Sequence, residues 1–313
     1  MKPARLVLPL LAGAVIAALY LSWGSPSSMI LWQVRVPRML LTLLTGMVLG
    51  GVGSVYQLML ANPLAEPYIL GISSGSALGS ILLGVLGLGL LMPLGGFAGA
   101  MLTMVLVWGL AGKGGHFEKG RLLIGGVIAG MFFASGISLL MYLFHEDTVI
   151  IMGTLMGNLG RIFSINEWRV FLGLVLICLA ILYWLYRQST TLDIVSGGDV
   201  YAGSVGIEVS VLRKRVFVLS SILIGIVVSY AGIIGFVGLI VPHVARHFMG
   251  SNQKRVYPLS LFLGALFLLA CDLAAQHLTV LELPVGVITA AIGCPFFMGL
   301  MLRGGKSAKS ASF

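Results

Sequence analysis

Residues 39–60 read MLLTLLTGMVLGGVGSVYQLML, a run with no Lys, Arg, Asp or Glu. About 20 such residues in a helix cross the roughly 30 Å hydrocarbon core of a bilayer. Gly46, Gly50, Gly51 and Gly53 sit inside the run, where small residues let neighbouring transmembrane helices approach closely. The whole chain follows the same pattern. Of its 313 residues 58% are hydrophobic and only 9% charged, against about 25% charged in an average soluble protein. The 43 glycines are about twice the usual share. A water-soluble fold is excluded, and many tightly packed helices are expected rather than one anchor.

Spacing of charge and of Pro/Gly punctuation divides the chain into ten apolar spans, approximately 6–23, 39–60, 68–86, 93–111, 122–144, 168–186, 211–230, 234–248, 256–276 and 284–302. The expected fold is therefore an all-α integral membrane protein, one domain over residues 1–313 with ten transmembrane helices. The eighth span, at about 22 Å, is shorter than the bilayer core and needs shielding by its neighbours. Lys2 and Arg5 ahead of the first run also fit a secretory signal, but no A-x-A-like site follows Tyr20. Ser22-Trp23-Gly24-Ser25 reads better as the exit of an uncleaved span.

The net charge of +9 gains its meaning from where the charges fall. With the N-terminus inside, fifteen of the 19 Lys and Arg residues lie in cytoplasmic segments, and Arg35, Arg38, Arg161 and Arg169 lie outside. That asymmetry is the positive-inside pattern, with both termini cytoplasmic. Nucleic acid is not an expected partner; membrane lipid is.

The longest cytoplasmic loop contains a segment, about 193–208, in which Asp199 is expected to N-cap a short helix and Gly206 to end it. Tyr201, Ala202 and Val205 would share one side of that helix. On the outer side, the apolar stretch 150–157 is too short to span and suits a re-entrant or interfacial helix. Asn62-Pro63-Leu64-Ala65-Glu66-Pro67 is an ordered turn between the second and third spans, since its prolines fix φ and remove donors. Arg35 and Arg38 put two charges on the face that otherwise sheds them; they either snorkel into headgroups or meet an acidic partner. Asp272 is the one carboxylate deep in an apolar run, and Gln276, four residues on, is placed to donate to it. A structural pair is favoured there over a proton site.

No catalytic set is apparent. The glycines of 115–122 lack the Lys and Ser/Thr of a phosphate-binding loop, so the chain carries no ATPase site of its own. His243 and His247 are four residues apart with Arg246 between them and no acidic neighbour, which argues against a metal site. Cys178, Cys271 and Cys294 lie in apolar runs without metal or redox spacing and read as small hydrophobes.

Several strings, in order along nearly the whole chain, resemble the permease family of ABC importers for iron chelates, haem and cobalamin. They are Arg35-Val36-Pro37-Arg38, Gly46 to Gln57 leading into Asn62-Pro63-Leu64-Ala65-Glu66-Pro67-Tyr68-Ile69-Leu70-Gly71, Gly198-xxx-Ala202-xxx-Gly206, Gly235 to Arg246, Leu283 to Val287, and Gly293-Cys294-Pro295-Phe296-Phe297. The resemblance implies a prokaryotic inner-membrane permease subunit that pairs with a second permease subunit, commonly in a homodimer. Two cytoplasmic ATP-binding subunits, which use ATP and Mg, and an external or periplasmic substrate-binding protein complete such an importer; no cofactor is implied for this chain.

By the same resemblance Arg35 and Arg38 meet the binding protein, and Asn62 and Leu64 narrow the cytoplasmic end of the pathway. Gly198, Ala202 and Gly206 mark a coupling helix against the ATPase, with His243 and Arg246 near that contact. The family commonly has an arginine where Gln276 stands, so one docking contact is absent. Met131, Phe132 and Ser135 in the glycine-rich fifth span either line the pathway or serve ordinary helix packing. The rival function is an ion-coupled secondary transporter using Asp272.

Overall fold

A computed structural model describes residues 4–22, 27–111, 119–279 and 281–310. Part of the expected first-span exit, Trp23 to Ser25, and the glycine string from Gly115 to Glu118 fall outside these ranges. Among the described residues the chain forms thirteen α-helices and no strand. They are α1 (Ala4–Ser22), α2 (Ser28–Met59, with a π-helical turn over Leu31–Arg35), α3 (Ile72–Val85), α4 (Met92–Ala111), α5 (Lys119–Leu143), α6 (Thr148–Met156) and α7 (Ile165–Arg187). After these come α8 (Ser189–Ser196), α9 (Asp199–Ser204), α10 (Val209–Ala231), α11 (Val237–Met249), α12 (Gln253–His277) and α13 (Val285–Ser310). Omitting the short α6, α8 and α9 leaves ten helices in the order of the ten expected spans.

The helix α2 is the centre of the molecule. Its apolar stretch is 78% buried, against 22% for α7, so α2 is surrounded by protein while most of α7 is left uncovered by the rest of the chain. Glycines permit this crowding. A Cβ on Gly50 would lie 2.5 Å from the Ser260 carbonyl oxygen of α12, and one on Gly46 or Gly53 would meet the backbone of Gly264 or Gly238. Without a hydrophobic driving force between helices in lipid, such backbone contact is a main source of helix adhesion.

Local chemistry sets the ends. Ser164 and Glu167 form a reciprocal capping box that starts α7. The third span begins later than the sequence suggests: Pro67–Leu70 is a 3₁₀ turn, and Gly71 (φ 70°) breaks it from α3. The eighth span is short, as expected, with α11 only 13 residues long, about 20 Å at 1.5 Å per residue. Residues 232–236 ahead of it are non-helical, and Phe236 holds a left-handed φ of 69°. Irregular backbone at such depth is tolerated where protein covers it, and Ile234 and Val237 are fully buried. The apolar segment 150–157 is helical too, as α6, ended by Gly157 (φ 74°).

Candidate functional site

At the end of the molecule where α1 meets α2, four side chains converge on Asp272 of α12, which is fully buried. Arg38 donates through Nε (3.0 Å) and Nη2 (2.8 Å), Gln276 through Nε2 (3.0 Å), Tyr20 through its hydroxyl (2.5 Å) and Thr42 at 3.4 Å. The third guanidinium nitrogen of Arg38 reaches Glu282 at 2.7 Å. A buried charge is tolerated when paired and hydrogen-bonded, and both conditions hold here. The expected Gln276–Asp272 bond is present. The expectation that Arg38 points outward is corrected: it is 7% exposed, and all three guanidinium nitrogens are engaged within the chain. Arg35 is half-buried, and its Nη1 donates to the Leu21 (3.1 Å) and Tyr20 (3.4 Å) carbonyls at the end of α1, where a cation complements the helix dipole.

At the other end of α2 the helix closes on Ala61 in the left-handed conformation (φ 50°), with Asn62 N–H bonded to the Gln57 carbonyl and Ala61 N–H to that of Leu58. This is the paired-bond C-cap that glycine usually supplies. Asn62 Oδ1 then accepts from Leu64 N–H at 2.9 Å, an Asx turn that presents the half-exposed Leu64 side chain. The turn is tied to the segment before α11. Glu66 accepts from the Phe236 amide (2.5 Å), and the Tyr68 hydroxyl accepts from the Ile234 amide (3.2 Å). Burial pushes the Glu66 carboxyl above its ordinary range, and the Phe236 amide opposes that rise.

Arg246 folds back onto α2, donating to the Gln57 side-chain oxygen and the Ser54 carbonyl, while Gln57 Nε2 donates to the Gly238 carbonyl at 3.1 Å. His243 is partly exposed beside Phe296, their rings edge to face at 5.9 Å. Arg246 is thus tied to α2 within the chain, and both it and His243 keep part of their surface open.

The loop between α7 and α10 holds two helices where one was expected. Asp199 does not cap α9: Gly198 (φ 125°) stands at that position, and the Asp199 carboxylate grips Arg213 of α10 at 2.5 and 2.6 Å. Gly206 (φ 83°) does end the helix; its amide bonds to the Gly203 carbonyl and that of Ile207 to the Ala202 carbonyl. Ala202 is fully buried, whereas Val200 (89%), Tyr201 (59%) and Val205 (52%) are exposed. Tyr201 and Val205 therefore do not share a side with Ala202, and α9 shows an uncovered apolar cap above a buried foot. The unanticipated α8 is pinned through Asp193, which accepts the Gln253 amide (3.0 Å) at the start of α12; burial raises that carboxyl.

On α5 the glycines and the larger residues part company. Gly126 and Gly130 pack against Gly71, so closely that a Cβ there would lie 2.6 Å from the Gly126 carbonyl. Met131 (70%) and Phe132 (66%) are exposed, as is Ser135. Among the described residues no group of three or more His, Cys, Asp or Glu is arranged to hold a metal ion. Sequence reasoning gave no role to Glu66, Gln57, Tyr20, Glu282 or Asp193. The flanking Pro63 and Pro67 were the one signal that marked Glu66 as part of a fixed turn.

This arrangement has close counterparts. The chain is 35% identical over 301 residues to the vitamin B12 import system permease protein BtuC of Vibrio vulnificus (strain CMCP6), covering 94% of this chain and 89% of that one. It is 33% identical over 291 residues to the BtuC protein of Escherichia coli O127:H6 (91% and 87%). A solved structure described as an inward-facing conformation of a metal-chelate type ABC transporter superposes with a TM-score of 0.87 at 30% identity, over 96% of this chain and all of that one. PsaBC from Streptococcus pneumoniae shares the fold at a TM-score of 0.59 and 18% identity, over 86% and 91%. The model of the FecCD transport family matches residues 7–303, and with that span the chain belongs to the FecCD transport family, as a multi-pass membrane permease.

Proposed function

We propose that this chain is the permease subunit of an ATP-driven importer that passes a bulky metal chelate inward, with cobalamin the first substrate to test and haem or an iron siderophore next. The observation that carries the ATP-driven part is α9. A six-residue helix with Val200, Tyr201 and Val205 uncovered has the form of a plug for an apolar groove on a soluble protein, and its Asp199–Arg213 fork transmits force on the plug into α10. The soluble partners are two ATP-binding subunits, which use ATP and Mg; this chain binds no cofactor. A second copy of the chain completes the pathway, and both termini face the cytoplasm of a prokaryotic inner membrane, following the distribution of Lys and Arg. The chain acts as one domain.

Substrate arrives from an external binding protein docked at the α1–α2 end, where Arg35 is the remaining candidate contact because Arg38 is committed to Asp272 and Glu282. Asn62 and Leu64 narrow the cytoplasmic exit, and Met131, Phe132 and Ser135 line the path between subunits. His243 adds to the contact with the ATPase. The donors around Asp272 favour the structural reading of that carboxylate over an ion-coupled carrier. Relatives named as vitamin B12 permeases support cobalamin as the first choice.

Reconstitution of the permease with its ATP-binding and binding-protein partners, followed by uptake of cyanocobalamin, haem and a ferric siderophore, tests the proposal. Uptake that requires ATP is expected. Uptake driven by a proton gradient without the ATP-binding subunits would refute it.

A further inference from the structure

The connection between α2 and α3 makes an attachment that no role above accounts for. Glu66 is a half-buried carboxylate whose hydrogen-bond partner is a backbone amide, that of Phe236, at 2.5 Å. That amide belongs to a left-handed, non-glycine residue (φ 69°) immediately ahead of α11. Such a conformation persists only where its surroundings hold it. A carboxylate at a helix N-terminus is also favoured by the helix dipole. Two neighbours reinforce the contact: the Tyr68 hydroxyl accepts from Ile234 N–H, and Pro67 packs so close to Gly238 that a Cβ there would lie 2.7 Å from its Cγ.

We propose that Glu66 is a positioning residue that locks the Asn62–Leu64 turn to α11, so that the turn and the half helix move as one body and the exit opens only when α11 moves. The inference rests on the reading of that turn as the narrow end of a transport path. The lock is mechanical. The turn has exposed side chains and few internal bonds, whereas α11 is built into α2 through Gln57 and Arg246. Without Glu66 the turn would fluctuate independently, and the path would open without instruction.

The full-length chain reconstituted into liposomes loaded with carboxyfluorescein reports this without substrate or partners. Glu66→Ala is expected to raise dye leak about tenfold over the unsubstituted chain, the factor corresponding to one lost hydrogen bond to a charged group. Glu66→Gln keeps an acceptor oxygen and should stay within about twofold of the unsubstituted chain, since a neutral bond retains much of the contribution. Leak unchanged in Glu66→Ala at an unchanged melting temperature overturns the proposal, and so does Glu66→Gln leaking as fast as Glu66→Ala. Where Glu66→Ala does not fold, Tyr68→Phe decides: it removes only the hydroxyl at Ile234, a raised leak supports the lock, and none overturns it. Absence of ATP-dependent uptake of any chelate by the unsubstituted importer would count against the transport reading instead, and the dye measurement separates the two failures.

Discussion

Single residues carry the sharpest energetic consequences. Asp272 accepts from Arg38, Tyr20, Gln276 and Thr42, so removing its charge leaves a buried guanidinium short of a partner. Asp272→Asn is expected to cost about 3–5 kcal/mol, the usual penalty for breaking a buried pair from one side. Thermal unfolding in detergent measures it, and pairing the change with Arg38→Met should recover part of the loss. Ala61 presents the opposite case. Its left-handed φ of 50° penalises any side chain, so Ala61→Gly should stabilise the chain by about 1 kcal/mol, read as a raised melting temperature. The first of these centres was half legible in the sequence. Gln276 is four residues from Asp272, and helical spacing reveals it; Arg38 lies 234 residues away, and no local pattern links the two. Arg38 looked outward because charge at a span's end usually is, and only the packed structure shows a carboxylate waiting for it.

At the scale of elements, the glycines become seams. Gly53 of α2 faces the backbone of Gly238 in α11, and Gly264 of α12 faces Gly46. Gly53→Val is expected to destabilise by about 1–3 kcal/mol, the range for overpacking, while Gly120→Val, where nothing lies within reach of a Cβ, should leave stability unchanged. Comparing the two unfolding midpoints checks the claim. The helix α9 makes a functional counterpart: Tyr201→Asp puts a charge on its exposed cap without touching Ala202. It should abolish substrate-stimulated ATP turnover while the permease still folds, and unchanged turnover would remove α9 as the coupling element. Existence and order of the helices were readable because uncharged apolar runs of about 20 residues match the thickness of a bilayer and suit little else. The starts of α3 and α11 were not, since Gly71 and Phe236 take left-handed conformations that tertiary contacts impose. The second loop helix, α8, escaped notice because its anchor is the amide of Gln253, sixty residues on.

For the molecule as a whole, burial separates a crowded centre from an open apolar rim, and the exposed face of α5 is what a second copy would cover or a pathway would wet. Single cysteines at Met131 and Ser135 are expected to react with a water-soluble thiol reagent in at least one nucleotide state of the assembled importer. Buried Phe133 on the same helix, replaced likewise, should not react. Labelling at Phe133 but not at Met131 would assign the path to the other face. Because the sequence describes one chain, the partition of α5 into a glycine side and an open side emerges only after Gly126 and Gly130 are seen against Gly71.

The hydroxyl of Tyr20 has a consequence in time. Its bond is a buried polar tie between α1 and the rest of the chain, beside the Arg35 bonds to the end of α1, and its acceptor lies 252 residues downstream. A ribosome working at about 5–20 residues per second needs roughly 13–50 s to cover that distance. Throughout that interval the first helix has its apolarity and the Arg35 bonds to its last carbonyls, but not the Asp272 anchor. Completion of α12 is the event that fastens α1 to the Asp272 cluster.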